Sequence, residues 1–322
     1  MLHVTSGDTA ADSIRRALLG GIVLPWHDVL HEGPVPMGLR GEALRRERAA
    51  FLASLSHGDA QRIERLLQQR DEVLASFALH DEVVFWFEPD LFDQLQLLQV
   101  LEHFAAAERG EVLLTLVETA PADAAAPTGL ADLEPPQVAA RFADRMLVSE
   151  EQIELAAFAW QAFRAPDPTL IERLRGMDLS ALPHLSSAFL RHLEQFPSTR
   201  SGLGRTERCV LHALSAGART EADLYRLQAE QEERPYIGRT VFRWYLDLLA
   251  AGEQPAIAID SAAGDESALF RLTERGHHYA DGSADFVAEN GIDRWWGGVH
   301  QHGRSARWRW NETKGHLHSD AR

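Results

Sequence analysis

Short apolar runs near the start of the chain each stop in a small polar cluster. Leu2-His3-Val4-Thr5 runs into Ser6-Gly7-Asp8, Ile22-Val23-Leu24 into Trp26-His27-Asp28, and Val83-Val84-Phe85-Trp86-Phe87 into Glu88-Pro89-Asp90. Such runs read as buried strands and predict strands over residues 2–5, 21–25 and 82–87, with a fourth over 111–117. Between them the period becomes helical. Thr9-x-x-Asp12 matches a capping box, so the first helix is expected to begin near Thr9 and to carry Ile14, Ala17 and Leu18 as its apolar stripe. Residues 39–79 show two apolar faces, one of Leu44, Phe51, Leu52 and Leu55 and one of Ile63, Leu66, Leu67 and Leu74. After the third strand, Leu91, Leu95, Leu98 and Leu101 recur at near-helical spacing, which sets Gln94, Gln96, Gln99 and Glu102 outward. Strands alternating with helices predict an α/β N-terminal domain over residues 1–120, with a parallel, Rossmann-like sheet and right-handed crossovers.

The pattern changes twice more. Residues 121–200 read as a linker and a helical connector: Pro121, Pro127, Pro135 and Pro136 punctuate the first part, and 149–196 return to helix with a break at Ala165-Pro166-Asp167-Pro168. Residues 201–282 predict helices over 206–216, after Thr220 (where Thr220-x-x-Asp223 is a capping box) and over 239–251. Two strands around a turn at Gly264-Asp265-Glu266 follow, and then a closing helix after Thr273. These are the parts of an α+β, winged-helix-like domain. Residues 283–322 form a cap dense in Trp, Arg and His. There Arg307-Trp308-Arg309-Trp310 alternates like a strand that buries one face, with Trp295 or Trp296 packed opposite, although interleaved arginine and tryptophan also suit base stacking.

At 322 residues the chain is long enough for two or three domains. No apolar run reaches the 18 or so residues of a membrane span and no signal peptide opens the sequence, so a cytoplasmic protein without membrane contact is expected. The lone cysteine, Cys209, excludes an internal disulfide and sits on an apolar helix pattern, as a buried thiol does. Acidity is uneven: residues 1–199 hold 16 basic and 30 acidic residues, whereas residues 200–322 hold 16 and 18. The front half therefore repels nucleic acid and anionic membranes, and contact with DNA is expected only from the back third.

In an open parallel sheet, ligands bind just beyond the carboxyl ends of the strands. The polar strand ends therefore predict one site built from distant segments. Ser6, Gly7, Asp8 and Thr9 place a glycine and a helix start next to a strand, where backbone amides can face a ligand; the alternative is that Asp8 or Thr9 only caps the helix. Trp26, His27, Asp28, His31 and Glu32 follow the second strand, and Asp28 could orient His27 or His31 as the catalytic base. Glu88, Asp90 and Asp93 follow the third strand, either as ligand contacts or with Asp90 as helix cap. Asp8, Asp28 and Glu88 together are candidate ligands for a divalent cation such as Mg. In the back module Arg239, Thr240 and Arg243 would face DNA, although the surrounding acids leave no strong basic patch. His300, His302, His316 and His318 read as exposed polar residues, not as metal ligands.

The segments His3-x-Thr5-x-Gly7-Asp8-x-Ala10, Trp26-x-Asp28-x-Leu30-x-Glu32-Gly33-Pro34 and Trp86-Phe87-Glu88-x-Asp90-x-x-Asp93-Gln94-Leu95 together resemble the bacterial family known as domain of unknown function 1835. They span roughly the first 120 residues. Leu182-Pro183, Phe196-Pro197-Ser198-Thr199, Gly202-Leu203-x-Arg205-Thr206-Glu207 and Asn290-Gly291-Ile292-Asp293-Arg294-Trp295 are similar to the remainder of its longer members. Pro89 departs from the pattern, where a polar residue such as His is expected. The resemblance implies a shared architecture and brings no reaction.

The combined expectation is a small polar ligand, nucleotide-like or phosphorylated, bound at the strand ends. The chemistry would be metal-assisted hydrolysis or transfer at a phosphoester, with Asp8, Asp28 and Glu88 holding metal or substrate and His31 or His27 moving protons. The alternative is a regulator without chemistry, whose back module contacts DNA or a protein.

Overall fold

Val83 to Phe87 are buried to the last residue and form the centre of strand β4 (Glu82–Phe87). A strand covered on both faces has no polar alternation, which is why it reads as one apolar run. In the computed structural model, which describes residues 1–119, 129–260 and 268–319, the chain divides into two units, Met1–Ala188 and Phe189–Arg322. No helix among the described residues is long and apolar enough to cross a membrane.

The first unit is a mixed α/β structure. It runs β1 (Leu2–Ser6), α1 (Gly7–Arg16), β2 (Ile22–Trp26), the two-residue β3 (Gly33–Pro34), α2 (Gly41–Ser56), α3 (Ala60–Ala75), β4, α4 (Leu91–Ala105), β5 (Leu113–Glu118), α5 (Pro135–Ala143), β6 (Met146–Leu147), α6 (Glu150–Arg164) and α7 (Thr169–Arg175). The sheet has the order β2-β1-β4-β5-β6; the first four strands are parallel and β6 is an antiparallel edge. Alternate residues of β4 serve opposite faces. Val84 and Trp86 pack with Ala10 and Ile14 of α1, Val117 of β5 and Val138 of α5. Phe85 meets Phe104 of α4 on the other face, at 5.6 Å between ring centroids. Trp86 also donates from Nε1 to His3 Nδ1 at 3.1 Å, and His3 Nε2 bonds Gly20 O at 3.0 Å. Because Nδ1 accepts, the proton lies on Nε2, and burial holds this imidazole below its usual pKa.

Several local expectations shift. Helix α1 starts at Gly7, whose φ of +63° turns the chain from strand to helix, so Thr9 lies inside the first turn and forms no box. Leu18 is exposed, because the helix ends at Arg16. Gln94 and Gln96 point inward, with 4% and 0% exposure. Helices α5, α6 and α7, expected as part of a connector, lie in the first unit, where α6 packs along α4. Pro121 and Pro127 lie outside the described residues.

Helix α8 (Leu185–Leu193) precedes α9 (Arg205–Ser215), β7 (Arg219–Thr220), α10 (Glu221–Glu230), α11 (Arg239–Ala250), β8 (Ile257–Ile259), β9 (Leu269–Leu272), α12 (Glu274–Asp281) and α13 (Phe286–Asn290). The second unit's three-stranded sheet has the order β7-β9-β8, antiparallel throughout. Thr220 caps α10 through Asp223 N and Thr273 caps α12 through Gly276 N, as their positions in the sequence imply. The turn residues Gly264, Asp265 and Glu266 lie outside the described residues. Two hairpins close the chain, β10 (Ile292–Gly297) with β11 (Val299–Gly303) and β12 (Trp308–Asn311) with β13 (His316–Ser319). Trp308 and Trp310 are buried as alternation requires, but Arg309 between them is buried too, paired with Asp285 at 2.7 Å.

Candidate functional site

Strand β1 lies between β2 and β4, so the ends of all three are neighbours. On the β4 side, Ser6 occupies the N-cap position of α1 but leaves that helix uncapped by its side chain. Its hydroxyl instead donates to Asp93 Oδ2 at 2.8 Å, and Glu88 N donates to the same oxygen at 2.6 Å. Asp90 caps α4 by accepting from Asp93 N, and Gln94 Nε2 holds Glu88 O at 2.8 Å. Glu88 Oε1 accepts from Leu130 N at 2.8 Å. Asp93 is 3% exposed. Burial first, and then the charges of Asp90 and Glu88, push its carboxyl well above the usual range, against two hydrogen bonds that favour the anion. The result is a carboxyl group suited to carrying a proton beside two further carboxylates.

On the β2 side, His27 Nε2 lies 3.0 Å from Asp8 Oδ2. Both side chains are open to solvent, at 49% and 74% exposure, so this pair can meet a ligand from outside. A carboxylate on one ring nitrogen orients the imidazole and leaves the other for proton exchange. Gly7 and Thr9 flank it; Thr9 is exposed on the first turn of α1.

The remaining predicted residues are placed differently. Asp28 is buried and held by Arg48, whose Nε and Nη2 donate to Asp28 Oδ1 at 3.0 and 2.7 Å. The same guanidinium donates to the carbonyls of Val29, Glu32 and Pro34. Asp28 is thus the anchor of its loop, and neither a metal ligand nor the orienting group of a base. His31 is buried edge-on to Phe92 at 5.8 Å, away from solvent, and Glu32 is buried at 1%. Of the two histidines, only His27 can reach a ligand from solvent. Asp8, Asp28 and Glu88 do not form a cation site: each carboxylate has its own partner, and no group of three His, Cys, Asp or Glu among the described residues could hold a metal ion.

Trp26 bridges to residues that the sequence did not single out. Its Nε1 donates to Gln99 Oε1 at 2.8 Å, and the Arg70 guanidinium lies 3.9 Å over its ring. With Arg40, Arg45, Arg48 and Arg164 these residues line a cavity of about 350 Å³. Gln99 and the arginines come from α2 and its N-cap, α3, α4 and α6, and no local pattern in the sequence brings them together.

In the second unit, Arg243 is pinned between Glu221 at 2.7 Å and Asp247 at 3.1 Å, which removes it as a free DNA contact. Arg239 lies 4.8 Å over Tyr225 on an exposed surface, beside exposed Thr240. Cys209 is half-buried on α9, and burial raises its thiol pKa, as an unreactive thiol requires. No family model matches the chain, and no curated protein matches it significantly.

Proposed function

We propose that the first unit is a Rossmann-like ligand-binding domain that takes a small polar ligand, nucleotide-like or phosphorylated, at the carboxyl ends of β1, β2 and β4. One observation carries this reading. The three strand ends are joined sideways by functional groups, His27 to Asp8 across β2 and β1, and the Ser6 hydroxyl and the Glu88 amide to the shared Asp93 carboxylate across β1 and β4. The neighbouring strands β1 and β4 flank the crevice in which such sheets place their ligands. Residues behind the resemblance to domain of unknown function 1835 sort by role. His3, Thr5 and Asp28 are buried and hydrogen-bonded within the framework, whereas Asp8 is exposed for contact. As an enzyme the site would work by proton transfer at a phosphoester, with His27 as base, Asp8 orienting it and Asp93 holding a proton. A divalent cation such as Mg would arrive with the ligand's phosphates. Thermal melts with nucleotides, with and without Mg, test the reading on wild type and Asp8→Ala. A rise confined to the wild type supports it, and identical unshifted melts reject it.

A second reading has its own support. The order α9-β7-α10-α11-β8-β9-α12 with sheet order β7-β9-β8 follows the plan of a winged helix, with α11 as the recognition helix. This favours a ligand-sensing regulator that contacts a protein or DNA. With Arg243 neutralised, a DNA contact rests on Arg239 and Thr240, so a protein partner suits the surface better. Gel shift of the full chain against genomic fragments, with Arg239→Ala as control, separates the two partners.

A further inference from the structure

We propose that the cavity between α2, α3, α4 and α6 is a binding site for a small phosphorylated molecule carrying several negative charges. Its wall is electropositive in a half of the chain that is strongly acidic. Five arginines, Arg40, Arg45, Arg48, Arg70 and Arg164, line it against three carboxylates, those of Asp28, Asp71 and Glu102. They are drawn from only 16 basic residues among the first 199, where acids number 30. Asp28 pairs with Arg48 and a single carboxylate, Asp71, serves both Arg70 and Arg45, so the arginines outnumber their counterions and an added anion would offset the excess.

The donors are not all used by the protein. Arg48 is spent on Asp28 and three carbonyls. Arg164 donates to the carbonyls of Val35, Pro36 and Leu39, so none of its hydrogen-bond partners is a carboxylate. Arg40 has Glu102 no nearer than 3.7 Å and a side chain 70% exposed. Arg45 Nε and, on the facing helix, His103 Nε2 are buried without a hydrogen-bond partner. Arg70 is fixed over Trp26, whose ring is itself fixed by Gln99. Planar guanidinium forks arriving from separate helices fit the oxygens of a phosphate or diphosphate better than a single carboxylate. About 350 Å³ is room for a compact phosphorylated molecule.

The cavity touches the strand-end region only through Trp26 and Asp28 and does not use Asp8, His27 or Asp93, so titration calorimetry on the full chain separates the two sites. The probes are inorganic pyrophosphate, ATP and citrate, the last an anion of similar charge without phosphorus. Wild type should bind pyrophosphate or ATP at least tenfold more tightly than citrate. Arg45→Ala and Arg40→Ala should each weaken that binding tenfold or more. Arg40 is exposed enough that its variant folds, which thermal melting checks, and Arg15→Ala on the exposed end of α1 should change nothing. Absence of pyrophosphate and ATP binding overturns the proposal, as does equal affinity for citrate or binding that survives both arginine replacements. Binding lost in Asp8→Ala but kept in the arginine variants also overturns it, and moves the anion to the strand ends.

Discussion

The hydroxyl of Ser6 donates to the carboxylate of Asp93 across 2.8 Å, joining the end of β1 to the first turn of α4. Asp93 is buried beside two other acids, and its pKa is raised well above normal. A carboxyl with a raised folded-state pKa costs stability above its unfolded value near 3.9, and the cost disappears as the pH falls. Asp93→Asn keeps an acceptor for Ser6 and Glu88 N and cannot ionise. It should stabilise the first unit by about 1 kcal/mol at pH 7.5, a melting rise of about 2–4 °C. The gain should shrink toward pH 5. An unchanged or lowered melting temperature at pH 7.5 would contradict the strained carboxyl.

Arg48 and Asp28 are buried together, with 2% and 1% of their side chains exposed. Removing one partner leaves a buried charge uncompensated, which costs about 3–5 kcal/mol. Arg48→Met and Asp28→Asn should therefore each destabilise strongly in urea unfolding, and the double variant should recover much of the loss. Additive losses would show that the two charges do not act as a pair. Recovery would place Asp28 in the framework, as its geometry does.

Burial lowers the pKa of His3, His103 and His192, the last to about 3. These rings are neutral when folded, while the unfolded chain protonates them near pH 6.5. Stability from this source is complete above pH 6.5 and is lost as the pH falls below it, by up to about 1.4 kcal/mol per pH unit for each ring. Denaturation midpoints between pH 8 and 5.5 should decline below 6.5, and His192→Leu should flatten the decline by about one proton. A flat profile in the wild type would mean that the rings take up protons without unfolding.

The strands were legible because burial on both faces writes itself as a continuous apolar run: residues 82–87 were predicted as the strand that β4 forms. Polar partners were not legible. Gln94 and Gln96 fall between leucines at positions that a helical wheel turns outward, yet they are buried, each bonded to a carbonyl. Gln94 reaches Glu88 O, and Gln96 reaches Asp28 O from 68 residues away. Asp28 read as a ligand because its neighbours are polar; its partner Arg48 comes from a helix 20 residues on. A polar side chain near a strand end looks alike whether it meets a ligand or a distant arginine, and only tertiary packing decides. The ends of β1 and β4 were paired by strand order, which apolar runs do not encode.

Asp71 offers the last test, because it already holds two cavity arginines as an anion would. Its Oδ1 accepts from Arg70 Nε and Nη2 at 3.0 and 2.8 Å, and its Oδ2 lies 3.3 Å from Arg45 Nη1. A bound phosphate must share those guanidiniums with it. Asp71→Asn removes the competing charge and leaves Arg70 over Trp26. Removing one charge at such a distance is worth about 1–4 kcal/mol in a partly screened site. Pyrophosphate affinity should therefore rise about tenfold, more at low salt than at high. The same variant should melt slightly lower without pyrophosphate, since its arginines repel, and regain the difference when pyrophosphate is added. A lower melting temperature with unchanged affinity would make Asp71 a structural counterion and leave the arginines without a ligand to serve.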